Sequence, residues 1–263
     1  AILAHRPAPI QVSYLGFAGP SGATFYDYLL ADEHVTPLAQ QVHYTEQLVF
    51  LPHSFQVNDS TRALPTVPLA REAYGLPAQG FVYCCLNQSY KITAPIFDIW
   101  MRLLRAVPDS VLWLAQSHPI ACDNLRREAQ AHGVAAQRLV FAPREPDLAA
   151  HMSRYRAADL FLDTLPFNAH TTASDALWAG LPIVTCAGTT YAGRVTTSLL
   201  NALGLPELVT QSLEHYEALS IQLATKPTAI ARYKAHLESR RLDSPLFSTN
   251  AFAQALEIGR AHV

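Results

Sequence analysis

The sequence predicts an α/β protein built from parallel, doubly wound, Rossmann-like sheets. Three observations carry this. From residue 81 onward, short apolar runs of strand length alternate with amphipathic stretches of helical period. Strands separated by helices in this way need right-handed crossovers, which make a parallel sheet. Half of the 263 residues are hydrophobic, with aromatics spread throughout, so a large core is within reach and global disorder is excluded.

The elements follow in order. "PIQVSYL" (9–15), "YDYLLA" (26–31) and "QLVFL" (47–51) read as strands, the first two joined by the Gly-rich turn "GFAGPSGA" (16–23). The stretch 57–80 is rich in Pro and small residues and reads as a connector. Strand "FVYCCL" then leads to helix "APIFDIWMRLLRAV", whose Ile96, Ile99, Trp100, Leu103 and Leu104 share one face. Strand "VLWLA", a helix over 124–133, strand "RLVFA", a helix over 147–158 and strand "DLFLD" come next. The chain turns through Pro166, Phe167 and Asn168. Thr172 and Asp175 have the spacing of a capping box, which predicts a helix starting there and ending at Gly180. Strand "PIVTC", a helix over 194–204, strand "ELVT" and a helix over 213–224 complete the alternation. The basic segment 231–241 reads as a solvated helix face, and 244–263 as an extended start followed by a helix. Trp100, Trp113 and Trp178 fall on apolar faces and are expected in the core.

Three strands with little helix make less than one α/β domain, since domains usually hold about 100–150 residues. The expected partition is residues 1–70 as the end of a first Rossmann-like domain, incomplete in this chain. Residues 71–242 form a second domain, and 243–263 a tail that braces the first.

The formal net charge of −2 argues against a general nucleic-acid binder, which needs clustered Lys and Arg. No apolar run approaches the roughly 18 residues of a membrane span. Cys84, Cys85, Cys122 and Cys186 lack zinc spacing and read as reduced, buried thiols of a cytoplasmic protein.

Two loops stand out. His170, Thr171 and Thr172 lie where a strand hands over to a helix, over the carboxyl ends of the strands where ligands bind. A helix N-terminus offers unpaired N–H groups and partial positive charge, suited to phosphate. Asp175, one turn along, could accept from sugar hydroxyls. The competing reading makes Thr172 and Asp175 mere caps and His170 a loop residue. In "CCLNQSYKI" (84–92), Gln88 and Lys91 also follow a strand and precede a helix, on the same rim. Lysine supplies a point charge for phosphate oxygens, and Gln88 can both donate and accept. The alternative is a solvated loop. His151 and Arg154 share one helical face, and Arg154 could add positive charge. His53 reads as a structural histidine. No Asp-x-Asp, His-Glu-x-x-His or Gly-x-Gly-x-x-Gly occurs, which disfavours a metal-held diphosphate and a dinucleotide oxidoreductase. A diphosphate would have to be neutralised by Lys91, the helix terminus and a histidine.

"RPAPIQVSYLG", "YDYLLAD", "CCLNQSYKI", "VPDSVLWL", "ADLFLDT", "NAHTTASDALWAG" and "SPLF" resemble, in this order, the catalytic region of the protein O-linked N-acetylglucosamine transferases, most of all their bacterial members. The resemblance runs over nearly the whole chain. It implies a GT-B architecture of two Rossmann-like domains, with UDP-N-acetylglucosamine as donor and a protein Ser or Thr hydroxyl as acceptor. It implies inverting transfer with no metal and no cofactor. By match to the family motifs, Lys91 would hold the diphosphate and stabilise departing UDP, and Gln88 would sit by the nucleotide. His170, Thr171 and Thr172 would bind the phosphates and donor sugar, with Lys91 and His170 as the catalytic pair. Asp175 would take the ribose, and His151 and Arg154 would line the nucleotide pocket. It implies as partners an upstream histidine-bearing catalytic segment and tetratricopeptide repeats, so this chain is expected to be one piece of a longer one. A related UDP-glucose-dependent protein N-glucosyltransferase and a non-catalytic UDP-binding module are the alternatives. "AGPSG" (18–22) departs from the family's usual "PGTSG", and "APREPDLAAH" (142–151) from the animal enzymes.

Overall fold

The computed structural model of the chain describes residues 2–63 and 70–260. Part of the expected connector, 64–69, lies outside the described residues. Three short strands, β1 (Val12–Ser13), β2 (Tyr28–Ala31) and β3 (Gln47–Phe50), form a parallel sheet in the order β1-β2-β3. The expected seven-residue first strand shrinks to two residues. Pro9 near its start has no N–H to donate, and Leu15 at its end adopts a left-handed φ of 60° that breaks the extended run.

The second sheet has six parallel strands: β4 (Phe81–Cys85), β5 (Ser110–Ala115), β6 (Leu139–Ala142), β7 (Leu160–Leu162), β8 (Ile183–Cys186) and β9 (Val209–Thr210). Their order is β6-β5-β4-β7-β8-β9. The chain therefore starts in the middle, builds outward one way, then returns to β7 and builds the other way. Tyr83 and Cys84 of β4 lie opposite Leu160 and Phe161 of β7. That pair is the topological switch point, where a crevice opens beyond the carboxyl ends.

The crossovers are α1 (Ala94–Ala106), α2 (Pro119–Ala131), α3 (Leu148–Arg154), α4 (Thr171–Trp178) and α5 (Val195–Ala202). Helices α6 (Leu213–Thr225), α7 (Pro227–Arg240) and α8 (Thr249–Arg260) follow. Helix α2 begins five residues before the expected start at 124. Pro119 suits a first helical turn, and the His118 ring accepts from the Ile120 N–H at 3.3 Å. Segment 231–241 is mostly a solvated face, but Tyr233 and Leu237 are buried inward. Its last residue, Arg241, is buried against Glu238 at 3.1 Å, a departure from the solvated reading.

The core of the second lobe is continuous across both faces of the sheet, as a covered parallel sheet requires. Trp100, Trp113 and Trp178 are buried in it. Cys84 and Cys85 are buried and unpaired, and burial pushes the Cys85 thiol up to about 12. Such thiols pack as small hydrophobes and are unreactive.

Polar contacts tie the two sheets' lobes together. The buried Asp32 carboxylate accepts from the N–H groups of His34 and Val35 (both 2.9 Å) and Phe55 (2.7 Å), and from Ser198 Oγ on α5 at 2.6 Å. Arg194 donates to the Val35 carbonyl at 3.0 Å. The tail crosses back: Thr249 Oγ1 donates to the Asn58 carbonyl at 2.8 Å, and the Phe252 ring lies 6.1 Å from that of Tyr14. A buried carboxylate with four donors is satisfied; removing it would leave those donors stranded at about 1–3 kcal/mol each.

Candidate nucleotide site at the switch point

The site is built on the loop that leaves β7. Asp163, the residue after that strand, is fully buried. Its Oδ1 accepts from the N–H groups of Thr164 (2.8 Å) and Ala169 (2.7 Å), and its Oδ2 from Thr185 Oγ1 on β8 (2.7 Å). The two backbone bonds close the loop 163–170 on itself, and the third ties it to β8. Asn168 adds two more, donating from its side chain to the Thr164 carbonyl at 2.8 Å and from its backbone to the Ala192 carbonyl at 2.9 Å. Burial raises the Asp163 carboxyl to about 6, against the donors that pull it down.

The loop after β8 braces the first one. Gly193 sits where an added Cβ would lie 2.8 Å from the Pro166 carbonyl oxygen, so only glycine allows this approach. Ala192 presents its carbonyl to both Asn168 and His170.

Lys91 closes a short turn after β4, directly beside this loop. Its Nζ donates to the Asn168 carbonyl at 2.7 Å and stands 4.1 Å from the centre of the Phe167 ring. Burial lowers its pKa, while the Asp163 charge works the other way. Gln88 caps the same turn and is exposed.

Helix α4 starts two residues earlier than the spacing suggests, which would make Thr172 the N-cap. His170 is its N-cap, and no side chain caps it. Thr171 and Thr172 are the first two helical residues, so the expected Thr172–Asp175 capping box does not form. Asp175 instead pairs with Arg62 at 2.7 Å. The first N–H groups of α4 therefore stay open, at the positive end of its dipole.

The His170 ring stacks on Phe167, with centres 4.7 Å apart and planes 21° apart, and its Nε2 lies 3.3 Å from the Ala192 carbonyl oxygen. A carbonyl only accepts, so Nε2 carries the proton and Nδ1 keeps its lone pair. Burial drives the ring's pKa down to about 4, helped by the nearby Lys91 charge. His170 is therefore neutral at pH 7. That corrects the expectation that a histidine adds positive charge for a diphosphate: at this site the charge comes from Lys91 and the helix end.

His170 and Thr171 open into a cleft of about 570 Å³ between the lobes, shared with Phe17 and Ala18 of the Gly-rich turn, Arg62 and Tyr191. The turn is anchored by buried Glu46, which accepts from the Ser21 N–H at 2.9 Å and from its hydroxyl. A second cavity of about 670 Å³ lies beside edge strand β6, and neither Lys91 nor any residue of α4 lines it.

The remaining expected residues lie outside this cleft's lining. His151 on α3 is half-buried beside Tyr155, with ring centres 5.3 Å apart. Burial and then the Arg154 charge lower its pKa, while Asp175 raises it. Arg154 is buried, and its Nη1 donates to the Pro143 carbonyl at 2.8 Å, so it holds the loop between β6 and α3. His53 is exposed in a separate pocket with His34 and His236, away from the switch point. Asp163, Arg62, Asn168 and Gly193 were not singled out from the sequence. Asp163 had a signal, a charged residue closing a fully apolar strand; Arg62 in the connector had none.

Comparison with known proteins bears on this geometry. The profile of glycosyl transferase family 41 matches residues 1–68 and 63–256. The chain belongs to glycosyl transferase family 41. A relative named probable UDP-N-acetylglucosamine–peptide N-acetylglucosaminyltransferase SEC, from Arabidopsis thaliana, is 40% identical over 97% of this chain and 27% of its own length. A UDP-N-acetylglucosamine–peptide N-acetylglucosaminyltransferase of Caenorhabditis elegans is 27% identical over 97% of this chain and 32% of its own. The chain thus spans about a third or less of these relatives. Among solved structures, a mutant of the Thermobaculum terrenum O-GlcNAc transferase superposes with a TM-score of 0.87 at 33% identity, covering 99% of this chain and 49% of that one. WaaG, a glycosyltransferase involved in lipopolysaccharide biosynthesis, superposes at a TM-score of 0.60 and 15% identity over 99% of this chain and 79% of its own, which shows the shared fold. The architecture is the expected α/β fold of GT-B type, with two parallel sheets.

Proposed function

We propose that this chain is the nucleotide-holding part of an inverting glycosyltransferase that moves N-acetylglucosamine from UDP-N-acetylglucosamine to Ser or Thr hydroxyls of proteins, without a metal. The observation that carries this is the meeting of Lys91 and the uncapped start of α4 at the switch point of the six-stranded sheet. The matched relatives, named as peptide N-acetylglucosaminyltransferases, support the same reading.

The chemistry follows from charge. As the acceptor oxygen bonds to the sugar's anomeric carbon, the bond from that carbon to the β-phosphate oxygen breaks, UDP leaves with the electron pair, and the proton of the acceptor hydroxyl is released to solvent. Fixed donors aimed at that developing charge lower the barrier. The ammonium of Lys91 uses one donor on Asn168 and keeps two for phosphate oxygens. The open N–H groups and hydroxyls of Thr171 and Thr172 meet the same diphosphate. Neutral His170 contributes an acceptor, Nδ1, to a hydroxyl or amide of the sugar. Asp175 takes the ribose, Gln88 stands at the nucleotide's edge, and His151 and Arg154 shape the pocket wall. In this reading an upstream catalytic segment and tetratricopeptide repeats complete the cleft and hold the protein acceptor, and the setting is the cytoplasm. No described helix is long and apolar enough to cross a membrane.

The test is transfer from UDP-N-acetylglucosamine to a Ser/Thr peptide, in EDTA, by this chain joined to the upstream segment of its protein. Labelled peptide is the expected result. Transfer only from UDP-glucose, or UDP binding with no transfer, would replace the proposal with one of its alternatives.

A further inference from the structure

Arg62 is an unexpected tenant of the cleft. It lies at the end of the first lobe, yet its Nη1 pairs with Oδ1 of Asp175 on α4 at 2.7 Å, with both side chains mostly buried. Its guanidinium lies 5.2 Å from the centre of the Trp178 ring. The other terminal nitrogen, Nη2, is buried with no partner, although Arg62 lines the 570 Å³ cleft. A buried guanidinium nitrogen without an acceptor is costly and calls for an explanation.

We propose that Arg62 and Asp175 act together as a diol clamp for the ribose of the bound nucleotide, with Arg62 Nη2 donating to a ribose oxygen whose hydroxyl donates to Asp175. The inference rests on the nucleotide reading above and adds a residue to it. The chemistry is complementary. A guanidinium only donates and a carboxylate only accepts, whereas each hydroxyl of a vicinal diol does both. Arg62 donates once to Oδ1, so Oδ2 and a second lone pair of Oδ1 are left to accept from a sugar. The spacing also fits. Thr171 and Asp175 are one helical turn apart, about 5–6 Å, comparable to the step from a nucleotide's α-phosphate to its ribose. A diphosphate on the start of α4 would thus bring its ribose to the pair. Arg62 belongs to the first lobe and Asp175 to the second, so the clamp also makes ribose binding sense how the lobes sit.

The experiment compares UDP with 2′-deoxy-UDP by calorimetry, using this chain and its variants Arg62→Met, Arg62→Gln and Asp175→Asn, each checked for an unchanged melting curve. The wild type is expected to prefer UDP by about tenfold or more, the size of a hydrogen bond to a charged group. Arg62→Met and Arg62→Gln are expected to bring that preference to within about twofold, while binding 2′-deoxy-UDP as the wild type does. Asp175→Asn should do the same. If the Arg62 variants keep the preference, Asp175 reads the ribose alone and the clamp is wrong. If they weaken both ligands equally, Arg62 serves the phosphates or the fold, and the clamp is again wrong. A wild type that binds neither ligand overturns the nucleotide reading itself, and the clamp with it.

Discussion

The ammonium of Lys91 and the backbone carbonyl of Asn168 are joined at 2.7 Å, across 77 residues of chain. This bond fixes a positive charge between the loop after β4 and the loop after β7, the two loops that flank the switch point. Replacing Lys91 with Met removes that charge and keeps most of its apolar stem. The expected result is UDP binding weakened by about 10–100-fold, the range for a charge-assisted bond, with little change in melting temperature. Equal affinity in a calorimetric titration would take Lys91 out of the site.

His170 has a depressed pKa in the folded chain, about 4 against an ordinary 6.5. A group depressed in this way stabilises the fold above its unfolded value, and the contribution is lost as pH falls from about 6.5 through about 4. The wild type should therefore lose stability over that window relative to His170→Asn, measured by denaturant titration at stepped pH. Nuclear magnetic resonance of the ring should show no protonation between pH 7 and pH 5.5. A ring titrating near 6.5 would contradict the buried, neutral assignment.

Asp163 has the opposite sign. Its folded pKa is raised to about 6, so its contribution is greatest below the unfolded value near 3.8 and is lost as pH rises through about 6. Asp163→Asn removes the ionisation and keeps an acceptor for the N–H groups of Thr164 and Ala169. Between pH 4 and pH 7 the wild type should lose ground to this variant, then run parallel to it. Asp163→Ala strands three donors and should destabilise at every pH, by several kcal/mol at about 1–3 kcal/mol for each donor.

Gly193→Ala tests whether the two loops act as one. The added methyl meets the Pro166 carbonyl oxygen at 2.8 Å, so one loop must move. Because Ala192 and Asn168 move with it, UDP affinity should fall together with stability. A variant that melts earlier yet binds UDP normally would show that the brace serves only the fold.

The sequence made the second lobe readable because its strands are short, fully apolar and separated by amphipathic helices. The positions of Trp100, Trp113 and Trp178, and the loops bearing Lys91 and His170, followed from that pattern. The first lobe was harder. Its pairing depends on backbone conformation at Leu15, which composition does not encode. The start of α4 was misplaced by two residues because Thr172 and Asp175 have capping-box spacing. The spacing is local, whereas the partner that claims Asp175 is Arg62, 113 residues away. The neutrality of His170 was equally hidden, since it comes from burial between Phe167 and Ala192. Asp163 was visible as a charge ending a strand, but its three donors come from both ends of the loop that follows and from strand β8.

The most direct measurement is a calorimetric titration of this chain with UDP in EDTA, run beside Lys91→Met and Thr172→Val. Metal-free binding by the wild type, weakened at least tenfold by the lysine variant and measurably by the threonine variant, is the expected result. A folded wild type that binds no UDP, or that binds it unchanged in both variants, would contradict a nucleotide site at the switch point.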